Sequence, residues 1–300
     1  MLDLISAQND FLEDCRRKNL SGHTVRAYQQ DLNDFRHWLK RSDGLDLLSK
    51  DTIGAWISDL AARRLAPTTI KRRVACLKVL FRWLEDEGRI EHNPFLGFRT
   101  HIKIPKKLPK NLSKSELRSL MGSPRALTFS EVTFSDDCLL LALEILFSTG
   151  IRVGELCSIQ LENLDLETGI ITIKGKGNRE RKVYLVDQAL RTVLSHYLHI
   201  RAQKSPLSDC LLVTQRAAAC TPNSIRIALH KHVETQGLSR TITPHMFRHT
   251  TATQLLENGV DIRYVQKLLG HASITTTEIY THVSDVKLHE AIRGANLRGR

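Results

Sequence analysis

The chain lacks the features that mark secreted and membrane proteins. Its six cysteines, Cys15, Cys76, Cys138, Cys157, Cys210 and Cys220, never form a CxxC pair. Scattered thiols in a chain of 300 residues suit a reduced, cytoplasmic protein better than a disulfide scaffold. The strongest apolar run, CLLLALEILF, is broken by Glu144 and falls far short of the roughly 20 residues needed to cross a bilayer. The opening MLDLISAQND has neither the basic nor the apolar region of a secretory signal. No internal repeat or low-complexity tract is present, which excludes a solenoid. Acid is also short relative to base. Asp and Glu total 32 against 44 Lys and Arg, giving +12 and a pI near 9.6. Such an excess favours a polyanionic partner, nucleic acid first and an anionic membrane second. With 41% hydrophobic and 25% charged residues the chain is globular and able to bury a core.

What is present divides in two. Residues 99–110, RTHIKIPKKLPK, hold five basic residues, two prolines and no acid, and proline disfavours helix around itself, so this stretch reads as an extended basic linker. Basic residues outnumber acidic ones by 21 to 14 in 1–110 and by 23 to 18 in 111–300. Both halves are therefore positive, as suits a protein that embraces one polyanion from two sides. The first half reads as helical throughout. In TIKRRVACLKVLFRWLEDEG, Ile70, Val74, Leu77, Phe81 and Leu84 form one apolar stripe. Lys71, Lys78 and Arg82 fall together on another face, with Arg72 and Arg73 beside them, a surface suited to DNA phosphates. A second basic helix, SGHTVRAYQQDLNDFRHWL, starts from a serine cap at Ser21.

The second half opens on SKSEL, a serine cap with acid in the first turn. A helix is expected from about Asp136 to Ser148, another from near Val153, and a hairpin from 170–174 and 181–186 around a Gly-Lys-Gly-Asn turn. From Gln188 onward the pattern is helical, broken near Pro206, Pro222, Pro244 and Gly270. The predicted fold class is thus mainly α with a small β-sheet.

Six residues of this half carry chemistry when taken together. Arg152 follows a TG turn, Lys176 sits at the hairpin tip, and His245 and Arg248 open a helix after Pro244. His271 follows the LG turn, and Tyr280 ends the threonine-rich segment beyond it. Two arginines can grip the non-bridging oxygens of a phosphodiester through forked, charge-assisted hydrogen bonds. Positive charge at that place stabilises a pentavalent phosphorane. A lysine on a glycine-flanked tip can protonate a departing oxygen. A tyrosine hydroxyl can attack phosphorus and keep the bond energy as a covalent phosphotyrosine. His245 and His249 stand four apart, a zinc-ligand spacing, but no HExxH glutamate accompanies them and Cys220 is the nearest cysteine. The site therefore reads as free of metal and cofactor, with His249 and Glu155 in structural or orienting roles.

These strings resemble the tyrosine recombinase (phage integrase) family. TGIRVGELCSIQLENLDL is similar to its first arginine box, and IKGKGNRERKVYL to its hairpin. TPHMFRHTTATQLLENGVDIRYVQKLLGHASITTTEIYTHV resembles its HxxR–LGH–Y box. The resemblance implies an N-terminal helical SAM-like core-binding domain over 1–98, the linker at 99–110 and an α+β catalytic domain over 111–300. It further implies that Arg152 and Arg248 clamp the scissile phosphate and that His245 helps activate the nucleophile. His271 would support the transition state, Lys176 would protonate the leaving 5′ oxygen, and Tyr280 would form a 3′-phosphotyrosyl bond. DNA contacts are expected at Lys71, Arg72, Lys78, Arg82, Lys106 and Lys107. Length and layout are similar to Xer-type recombinases, which implies a homo-tetramer, or a pairing with a related recombinase, on double-stranded DNA sites. Integration or excision of a mobile element and resolution of DNA dimers both remain open. The alternatives are a type IB topoisomerase-like relaxing enzyme, or a non-catalytic DNA-binding regulator on the same scaffold.

Overall fold

The computed structural model describes residues 3–42, 46–98, 102–103, 111–122, 129, 134–175 and 180–270. Two compact units divide the chain, Met1–Lys107 and Leu108–Arg300.

Among the described residues the first unit is four helices: α1 (Leu4–Arg17), α2 (Gly22–Lys40), α3 (Lys50–Ala62) and α4 (Pro67–Asp86). Side-chain caps start three of them, Asp3 on the N–H of Ile5, Ser21 on that of Thr24 and Ser49 on that of Thr52. The fourth starts with Pro67 in its first turn, where a missing N–H loses nothing. The expected stripe of α4, Ile70, Val74, Leu77, Phe81 and Leu84, is buried, and so are Cys76, Leu80 and Trp83 beside it. Opposite it lie Phe11 of α1, Phe35 of α2 and Trp56 of α3, the last two meeting edge to face at 4.9 Å. Each such side chain contributes about 1.5–3 kcal/mol through burial.

A cluster of charge sits on this core. Asp31 is 2% exposed and takes Arg72 and Arg73, while Asp34 takes Arg73 at 2.6 Å and Arg63 at 2.8 Å. Arg72 also pairs with Asp31, which as a buried carboxylate needs a cation, while half of the Arg72 side chain stays exposed. Lys71, Lys78 and Arg82 are exposed, as the periodicity predicts.

The second unit surrounds α6 (Phe134–Thr149), whose residues are buried nearly all round, the mark of a central helix. Around it stand α5 (Lys114–Met121), α7 (Val153–Cys157), α8 (Gln188–Gln203), α9 (Pro222–Thr235), α10 (Pro244–Glu257) and α11 (Ile262–Leu269). The serine of SKSEL does cap α5, in a full capping box with Glu116. Pro222 and Pro244 occupy first turns and so mark helix starts.

The hairpin is a three-stranded antiparallel sheet, with β1 (Leu164–Asp165) added to β2 (Ile170–Lys174) and β3 (Glu180–Tyr184). Ile171 pairs with Val183 and Ile173 with Arg181, so Arg181 lies on the strand face that buries Val183. Residues 204–221 depart from the helical expectation. They form isolated bridges, Gln160 to Cys210 and Val213 to Ala219. Side chains of α8 take up their backbone groups: the Tyr197 hydroxyl donates to the Leu211 carbonyl and accepts from the Val213 N–H, both at 3.0 Å, and Arg201 donates to the Cys210 and Leu211 carbonyls. Five cysteines are buried, Cys15 and Cys76 in the first unit and Cys138, Cys157 and Cys220 in the second; all six are free. No helix among the described residues is long and apolar enough to cross a membrane.

Candidate active site

Three turns of chain meet in the second unit: the TG turn after α6, the first turn of α10, and the end of α11. Gly150 makes the first possible, with φ at +65°. There the chain reverses out of α6, and Arg152 takes extended backbone before α7. The Arg152 N–H donates to Glu155 Oε2 at 2.7 Å and its Nη1 donates to Oε1 at 2.9 Å. Glu155 thus orients Arg152, as its spacing suggested, while 42% of the Arg152 side chain remains exposed.

Arg248, one turn into α10, is 4% exposed. Its Nη1 donates to the Gly150 carbonyl at 2.7 Å and its Nη2 to the Leu269 carbonyl at 2.8 Å. Two fixed carbonyls hold the plane of the guanidinium, one of them two residues from Arg152 along the chain and the other at the end of α11. Thr251 fastens the same corner, its hydroxyl donating to the Phe147 carbonyl at 2.6 Å.

His245 lies one turn before Arg248. Burial, followed by the positive charges of Arg248, Arg226 and Arg152, holds its imidazole below the usual range. A neutral ring at pH 7 can accept a proton. His249 is lowered for the same reasons, burial first and then His245 and Arg248. Among the described residues no group of three His, Cys, Asp or Glu is placed to hold a metal ion.

The sequence pattern alone does not single out Arg181. It is 13% exposed, and its fork takes both oxygens of Glu155, Nη1 on Oε1 at 3.0 Å and Nη2 on Oε2 at 2.8 Å. Its Nε donates to the Leu268 carbonyl at 2.8 Å. The last carbonyls of α11 are thus held by two arginines, where the helix dipole favours cations. Gly270 then leaves the helix left-handed, at φ +66°. A Cβ there would stand 3.1 Å from the Arg181 guanidinium. Burial would raise the Glu155 carboxyl, but hydrogen bonds from Arg181 and the Arg152 N–H outweigh it and hold the group below its usual range. A cue was available, since ERKVYLV alternates and puts Arg181 on the face of Val183. A cation on an apolar face requires an acid partner.

The structure therefore brings Arg152, Arg248 and His245 together. Lys176, His271 and Tyr280 lie outside the described residues, as do Lys106 and Lys107.

Comparison with known proteins follows the same division of the chain. Residues 110–287 match the phage integrase family, and residues 9–88 match the phage integrase N-terminal SAM-like domain. The chain is 35% identical over 277 residues to the tyrosine recombinase XerC of Listeria innocua, covering 89% of each. It is 33% identical over 297 residues to the tyrosine recombinase XerD of the same organism, covering 95% of this chain and 98% of the other. Among solved structures, the XerH site-specific recombinase bound to palindromic difH substrate superposes with a TM-score of 0.76 at 26% identity, over 94% of this chain and 83% of that one. The Tn1549 transposon integrase in complex with transposon right-end DNA shares the fold, with a TM-score of 0.75 at 18% identity, over 97% of this chain and 99% of that one.

Proposed function

The chain belongs to the phage integrase family and is a tyrosine-type site-specific recombinase, and from that premise we propose which residues cut and rejoin the DNA and how. The observation that carries the reading is the joint between Arg248 and the carbonyl of Gly150, which fixes the Arg248 guanidinium at the corner from which Arg152 starts, two residues on. Such a corner fits the non-bridging oxygens of one phosphodiester.

In this reading the Tyr280 hydroxyl attacks phosphorus, giving its proton to the neutral His245. Arg152 and Arg248, with His271, stabilise the phosphorane as negative charge builds on its equatorial oxygens. The bond from phosphorus to the 5′ oxygen breaks as Lys176 protonates that oxygen. A 3′-phosphotyrosyl bond and a free 5′ hydroxyl result. Attack by a 5′ hydroxyl of the partner duplex reverses each step and reseals the strand without an external energy source, so no cofactor is required. Lys71, Lys78 and Arg82 of α4, in the 1–98 domain, and Lys106 and Lys107 of the 99–110 linker would bind backbone phosphates. The 111–300 domain would hold the scissile one.

The test is covalent capture. After the protein's own site has been mapped by crosslinking on its source genome, nicked-site DNA should trap a protein–DNA adduct in EDTA. Tyr280→Phe should bind and trap none. An adduct that persists in that variant, or a strict metal requirement, would remove Tyr280 from its role. Assembly follows the same reading: four copies, or two of this chain and two of a related recombinase, on a pair of sites, joined head to tail in a closed ring. Deleting residues 285–300 should then spare single-site binding and weaken synapsis; normal tetramers from the shortened chain would exclude that segment as the link.

A further inference from the structure

We infer that Arg181 is an electrostatic positioning residue: it neutralises Glu155 so that the Arg152 guanidinium keeps its charge and its free face for phosphate. The inference rests on the reading of Arg152 as a phosphate clamp.

The geometry separates two jobs that one carboxylate would otherwise confuse. Glu155 must hold Arg152, and it does so from one edge only, through Nη1 on Oε1 and the backbone N–H on Oε2. A carboxylate with no other cation would draw the whole Arg152 fork inward, because bidentate pairing is the stronger arrangement. Arg181 occupies that bidentate position first, with both of its Nη atoms. Exposure follows the same division of labour. Arg181 and Glu155 are 13% and 11% exposed, and Arg152 is 42% exposed. The buried pair sums to zero, so the corner retains the charge of Arg152 for an anion that arrives from solvent.

The third contact of Arg181 is the Leu268 carbonyl, two residues before Gly270. Its own strand, β3, begins four residues after Lys176 in the sequence. A purely mechanical role, in which Arg181 staples β3 to the end of α11, is the competing account, and charge variants separate the two.

The assay is single-turnover adduct formation by the full-length chain on its nicked site at saturating DNA. Arg181→Met should slow it about 100-fold, the scale of a misplaced catalytic group, with DNA affinity within about threefold. Adding Glu155→Gln to that variant removes the uncompensated acid and should restore at least about tenfold. Arg181→Lys, which keeps the charge and loses the fork, should stay within about tenfold of the parent. If Arg181→Met fails to fold, as judged by circular dichroism, the lysine variant carries the decision. A double variant as slow as Arg181→Met, or a folded lysine variant as slow as Arg152→Ala, overturns neutralisation. Arg152→Ala run beside them guards the premise: undiminished cleavage by that variant would sink the clamp reading itself, whatever Arg181 does.

Discussion

Replacing Gly150 with alanine tests how tightly the active-site corner is built. The perturbation has two parts. Alanine must adopt φ +65°, where its Cβ crowds the backbone, at about 1–2 kcal/mol. That Cβ would also stand 2.8 Å from Leu269 Cδ2, with Thr251 Cγ2 at 3.5 Å. Leu269 is fully buried and cannot swing into solvent, so the end of α11 must give by several tenths of an ångström. Overpacking of that kind costs about 1–3 kcal/mol. Gly237 supplies the control, since it has φ +67° and nothing within 4 Å of a built Cβ. Gly237→Ala should therefore show the backbone part alone. The difference between the two variants, about 1–3 kcal/mol, amounts to roughly 2–12 °C in melting temperature for a unit of this size. Far-UV circular dichroism reads it. Tryptophan fluorescence supplies an internal check, because Trp38, Trp56 and Trp83 all lie in the first unit. The fluorescence transition should stay in place while the dichroism transition of the second unit moves. Gly150→Ala and Gly237→Ala melting within a degree of each other would refute the reasoning, since Leu269 would then yield without penalty.

Other expectations follow from the same residues. Because the folded pKa of His245 lies below its unfolded value, protonation favours the unfolded chain. Its contribution to stability is therefore present above about pH 6.5 and is lost as pH falls from there. Single-turnover cleavage should hold level down to about that pH and decline only below it, and a decline already under way at pH 7.5 in the parent would contradict a neutral His245. A 5′-bridging sulfur in the DNA leaves with little need of a proton, so it should rescue Lys176→Ala and not Arg152→Ala; equal rescue of both would remove Lys176 from its role. Removing Lys71, Lys78 and Arg82 together should flatten the dependence of log K on log salt, by up to about 0.9 for every phosphate no longer neutralised. An unchanged slope would place that face of α4 away from DNA.

Local patterns carried much of this structure. The stripe of α4 and the serine caps of α2 and α5 were legible because each depends on residues within a turn or two of one another. The Arg152 turn, the HxxR pair and both β2 and β3 were legible for the same reason. What escaped depends on partners far along the chain. The segment 204–221 is held by Tyr197 and Arg201, whose acceptors no periodicity reveals. The pairing of Arg72 with Asp31 was not legible because nothing in α4 points to a residue 41 positions earlier. Arg181 stayed hidden because its partners, Glu155 and the Leu268 carbonyl, lie 26 and 87 residues away.

The buried thiols make the two units separately observable. Burial pushes the Cys76 thiol of the first unit well up, and it pushes the Cys157 thiol of the second up to about 12. Only thiolate reacts with an alkylating reagent, so both stay silent while their surroundings are intact. Each becomes reactive when its own helix opens. A pulse of reagent followed by peptide mapping therefore works as a stopwatch with two hands, one for α4 and one for α7. Run with and without DNA, it would time how far binding slows the breathing of each unit, with no residue changed.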